Sequence, residues 1–108
     1  MKRGLLIGFA FLACLLGPAG LASGHAMLES SEPARGDQLK ESPPRVTFTF
    51  NEPVEASLGA VRVFDRDGEQ VQEDGLERPG GRPETVGAAL PPSMPDGLYT
   101  ATFRVVST

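Results

Sequence analysis

The alternation Arg45-Val46-Thr47-Phe48-Thr49-Phe50 constrains this chain more than any other feature. Val46, Phe48 and Phe50 fall on one side and Thr47 and Thr49 on the other, the period of two that a strand with one buried face requires. A slip of one residue would turn all three apolar side chains to water, so this strand fixes its own register. No window after residue 24 shows helical periodicity, and Pro and Gly are scattered throughout.

Other segments read in the same way. Ala26–Ser30 forms a short first strand, followed by a turn at Ser31–Gly36. Val61–Phe64 is a strand, Asp65-Arg66-Asp67-Gly68 a turn, and Glu69–Gln72 its returning hairpin partner. Glu73–Glu84, rich in Gly, Pro and acid, reads as an exposed loop, and Thr85–Leu90 as a further strand. After a turn at Pro91–Gly97 comes the longest candidate, Leu98–Val106. Tyr99, Ala101, Phe103 and Val105 line one of its faces; Thr100, Thr102 and Arg104 line the other. Asp96-Gly97-Leu98-Tyr99 fits either the start of a tyrosine corner or a plain turn. Short strands separated by turn signals predict an all-β fold, a Greek-key β-sandwich or barrel of immunoglobulin-like size. A sandwich of this class supplies one more strand after Val106, so the domain is expected to be C-terminally incomplete at Thr108.

Residues 1–24 read as a secretory signal peptide. Lys2 and Arg3 give a positive start, Gly4–Leu16 an apolar run, and Ala22-Ser23-Gly24 a small-residue cleavage site. Cutting after Gly24 exposes His25. Cuts after Ala22 or Ala26 also satisfy the small-residue rule, and would start the chain at Ser23 or Met27. Cys14, the one cysteine, lies in the apolar run and reads as a small hydrophobe removed with it. Residues 25–108 then have neither disulfide nor thiolate chemistry.

His25 is the only histidine. At a free N-terminus it offers two nitrogens, the α-amine and imidazole Nδ1, which together chelate a metal. Nitrogen-rich tetragonal coordination suits Cu(II) among the common divalent ions. With His25 assigned to metal, no nucleophile–base pair remains, which argues against an enzyme. Lys2 and Arg3 precede residue 25, so residues 25–108 hold eight of the ten basic residues against all fourteen acidic ones, a net charge of −6. That balance argues against nucleic acid and anionic membrane surfaces as partners. The acids at Asp65, Asp67, Glu73, Asp74 and Glu77 lack the spacing of a calcium loop and read as a solvated surface.

Five stretches taken in order resemble the CopC/PcoC-type extracytoplasmic copper-binding domain. They are His25-Ala26-x-Leu28, Ser31-Glu32-Pro33-Ala34-x-Gly36, Phe50-Asn51-Glu52-Pro53-Val54, Val63-Phe64-Asp65-x-Asp67-Gly68, and Gly97-Leu98-Tyr99 leading to Phe103-Arg104-Val105-Val106-Ser107. The resemblance spans His25 to Thr108. It implies a cupredoxin-related Greek-key β-barrel that binds copper in the periplasm or outside the cell, in copper resistance or homeostasis. It also implies a membrane copper transporter, CopD-like, as partner or fused domain. His25 matches the family's Cu(II) ligand, and Glu52 matches an acid near that site. The family's remaining ligands, an Asp-x-His step after the Arg-Val-Val-Ser stretch, would begin beyond Thr108. Met27 and Met94 stand alone, so no Cu(I) thioether site is expected. The alternative is a metal-free immunoglobulin-like structural or adhesion module.

The exported protein should have an intact mass corresponding to a chain that begins at His25. A start at Ser23 or Met27 would remove the amine–imidazole chelate.

Overall fold

The computed structural model of the chain describes residues 25–108; the expected signal peptide at residues 1–24 lies outside them. Seven strands run β1 (Leu28–Glu32), β2 (Arg45–Phe50), β3 (Val54–Glu55), β4 (Val61–Phe64), β5 (Thr85–Ala89), β6 (Thr100–Phe103) and β7 (Val106–Ser107). The described residues include no α-helix, and none of their helices is long and apolar enough to cross a membrane. The fold is an all-β sandwich, as the alternation of β2 predicts.

One layer is the antiparallel sheet β1-β2-β5; opposite it lie the pairs β4-β6 and β3-β7. Val46, Phe48 and Phe50 of β2 are all buried, with Phe50 only 2% exposed. They join Val86 and Ala88 of β5, Leu90, Val54 of β3, and Val61 and Val63 of β4 in one core. Phe103 of β6 closes it. Its ring lies 5.0 Å from those of both Phe48 and Phe50, tilted against the first and edge-on to the second. These are the offset arrangements that the ring quadrupoles favour.

The first strand runs Leu28–Glu32 rather than Ala26–Ser30, its pairing with β2 carrying it into the expected turn, and three further segments depart from the sequence reading. The long strand expected at Leu98–Val106 breaks after Phe103. β6 pairs with β4, whereas β7 pairs with β3, so the chain changes partner across Arg104 and Val105. The Arg104 N–H donates to Ala60 O at 2.8 Å, which holds the break against the start of β4. Glu69–Gln72 forms only a single bridge, Phe64 to Gln70, but it still covers the edge of β4. Val71 N–H donates to Val63 O, and the Gln72 side-chain carbonyl accepts from Val63 N–H at 2.8 Å. Lastly, the loop at Glu73–Glu84 is not simply exposed. Glu77 exchanges two 2.9 Å backbone bonds with Gly87, and Glu73 N–H donates to Ala89 O. This segment seals the edge of β5, an edge that would otherwise offer unpaired donors and acceptors.

The turns follow their residues. Asp65 Oδ1 accepts from the N–H groups of Asp67 and Glu69, an Asx-type turn, and Gly68 completes it at φ +82°. The Tyr99 hydroxyl donates to Pro95 O at 2.6 Å, the link of a tyrosine corner. Met94 is half-buried and packs on the core, as a gap-filling role requires.

Phe48→Ala should lower stability by about 3–5 kcal/mol, through lost transfer energy and the cavity left behind. Leu58→Ala, at a side chain 77% exposed, should stay within about 0.5 kcal/mol. Urea unfolding of both variants checks the placement of the core; equal shifts would contradict it.

Candidate metal centre

Three segments meet at one corner of the sandwich. The first is the arm that precedes β1. Ala26 packs against the core, and Met27 makes two bonds to Asn51. Asn51 N–H donates to Met27 O at 3.0 Å, and Met27 N–H donates to Asn51 Oδ1 at 2.8 Å. His25 projects beyond this anchored stretch and is exposed. The register of β1 is shifted at Glu29, since Leu28 faces Phe50 while Ser30 faces Thr49. That bulge re-aims the arm at the end of β2.

The second segment is the bend Asn51-Glu52-Pro53 between β2 and β3. Glu52 is half-buried, and its Oε1 accepts a 2.7 Å hydrogen bond from Ser107 Oγ. The third segment is β7 with Thr108. Val54 pairs with Ser107 and Glu55 with Val106, while Thr108 N–H donates to Pro53 O at 3.3 Å. Arg78 braces the same region: its two guanidinium nitrogens donate to Pro83 O and Val54 O at 2.8 Å each.

Both residues expected at the site therefore stand on this corner, His25 on the arm and Glu52 on the bend that holds the arm. Asn51 and Ser107 were not expected there. Asn51 sits at the end of an alternating strand just before a Glu-Pro bend, where a short amide side chain has backbone groups within reach; that was the available signal. Ser107 carried none, because a two-residue strand has no periodicity to read.

The described residues contain no group of three or more His, Cys, Asp and Glu side chains gathered to hold a metal. The corner supplies one imidazole and one carboxylate. These are nitrogen and oxygen donors, whereas Cu(I) is held by several soft sulfurs. Met27 is 66% exposed, and Met94 packs against the core, its N–H donating to Ser42 Oγ at 2.9 Å.

Comparison with known proteins identifies the family and the fold. The CopC domain family matches residues 28–108, a range that includes Asn51, Glu52 and Ser107 and begins after His25. A relative named copper transport protein CutJ, from Bacillus subtilis (strain 168), is 30% identical over 83 residues. The match takes in 77% of this chain and 15% of that protein, so the chain spans a small part of its relative's length. The crystal structure of CopC from Methylosinus trichosporium OB3b superposes with a TM-score of 0.68 at 26% identity, over 78% of this chain and 80% of that one. With most of its length matched and the fold shared, the chain belongs to the CopC domain family.

Proposed function

We propose that this chain is an extracytoplasmic copper(II)-binding domain that sequesters copper or hands it to a membrane partner. The observation that carries the reading is the Met27–Asn51 tie, which anchors the His25 arm beside the Glu52 bend. Family membership and the copper transport name of the relative support the identity of the cargo.

His25 supplies the imidazole and, once the signal peptide is removed, the α-amine. Glu52 lies behind them, its carboxylate oriented by Ser107. Such a group steers the ligands around a metal through hydrogen bonds and charge rather than by holding the metal alone. The action is binding and release without turnover. The acidic surface keeps the domain off nucleic acid and favours approach of a cation. A CopD-like membrane protein, separate or fused, is the receiving partner.

His25→Ala should weaken Cu(II) binding by roughly 100-fold or more while leaving the β-sheet spectrum unchanged. Equilibrium competition against a copper chelator measures this. Binding in the parent protein should also fall on acidification, because the nitrogen ligands must lose their protons to hold the metal. Undiminished binding by H25A would refute the site. A parent protein that retains no copper, both when it ends at Thr108 and when extended past it, would favour the metal-free immunoglobulin-like module; copper retained only by the extended chain would place the missing ligands in the extension.

A further inference from the structure

Asn51 stands where the backbone of β2 leaves its ladder. In a hydrogen-bonded antiparallel pair the two residues exchange both N–H···O=C bonds. Asn51 makes the first in the ordinary way, from its N–H to Met27 O. The return bond from Met27 N–H ends on side-chain Oδ1 instead. The asparagine amide carries the same kind of acceptor as a peptide group. Its side chain therefore adds one more rung after the Leu28–Phe50 pair, while the main chain turns away toward Glu52 and Pro53. The arm stays in register with the sheet, and the bend stays free to present Glu52.

We propose that Asn51 is a positioning residue for the metal: its side-chain carbonyl fixes the arm so that an ion chelated by His25 meets the Glu52 bend. The inference rests on the His25 reading above. An amine and an imidazole from one residue need no scaffold to chelate. A scaffold is needed to bring the chelated ion to donors on another segment. An arm that must be ordered at that moment loses affinity to the entropy of ordering. Asn51 orders it beforehand, through the side-chain bond to Met27, two positions from His25.

The test uses the exported chain and its variants H25A, N51A and N51D, with Cu(II) as the probe. N51A removes the acceptor; N51D keeps a carbonyl-type oxygen at the same reach. N51A should bind Cu(II) about 5- to 10-fold more weakly, the range expected for one lost hydrogen bond. Its Cu(II) EPR spectrum should shift toward that of a free histidine–amine chelate. Without metal, the Met27 amide should exchange with solvent faster in N51A. N51D should restore both affinity and amide protection. Wild-type affinity and spectrum in N51A, with H25A inactive, would overturn the role of Asn51 and leave the His25 site standing. Equal losses in N51A and N51D would also overturn it, because the acceptor would then not be what matters. Wild-type affinity in H25A would overturn both readings together.

Discussion

The apolar face of β2 is the interaction on which the rest of this domain depends. Val46, Phe48 and Phe50 contribute one side of the core, and Phe103 from the opposite layer stacks against two of them. The two other strands of the β2 sheet are aligned by its register, β1 on one edge and β5 on the other. Because the side-chain period is two, that register has no neighbouring alternative that keeps the phenylalanines dry. Gly87 of β5 shows how closely the sheet is drawn together: a Cβ there would lie 2.6 Å from the Val46 carbonyl oxygen. Only glycine fits beside that backbone without displacing β2.

The corner that carries the candidate site extends the same alignment. β2 ends at Phe50, and the chain bends at the next residue. Whatever β1 and its preceding arm do is set by how they pair with that end. Asn51 continues the pairing through its side chain, Glu52 turns inward to Ser107, and Pro53 receives Thr108. The imidazole is exposed while its support is ordered. The proposed role of His25 as a ligand would use this combination of access to solvent and a fixed origin.

Much of the fold was legible because burial leaves a period in the sequence. β2, β4 and β5 follow from it; the Asp65–Gly68 turn is read from its Asp-Gly step, and the hydroxyl link of Tyr99 decides between the two readings that Asp96–Tyr99 left open. What was not legible is long-range. Leu98–Val106 reads as one strand because local alternation cannot register that Val106 and Ser107 find a different partner from Thr100–Phe103. The acid-rich stretch from Glu73 looks like a loop because its role at the edge of β5 is carried by backbone bonds, to which side-chain polarity gives no clue. At the candidate site, His25 stood out by residue type and by family resemblance, and Glu52 by the resemblance alone. For Asn51 the strand end and the Glu-Pro bend signalled a side chain within reach of backbone, but not which backbone, since its partner lies 24 positions away.

That separation has a consequence for when the corner exists. Met27 reaches Asn51 across 24 residues, and Glu52 reaches Ser107 across 55. Contacts so distant along the chain form late, after the loops between them have closed. An unfolded chain that begins at His25 thus has the amine–imidazole chelate but not the Glu52 bend beside it, so the proposed ion would be held more tightly by the folded form. Mass action then runs in reverse. An ion bound only by the folded form would add about 2.7 kcal/mol at a free concentration about a hundred times its dissociation constant, and the affinity that the His25 chelate keeps in the unfolded chain lowers that gain. In a domain with no cysteine after residue 24, an ion held as proposed between the arm and the Glu52 bend would serve as a reversible cross-link, present only while that ion is plentiful.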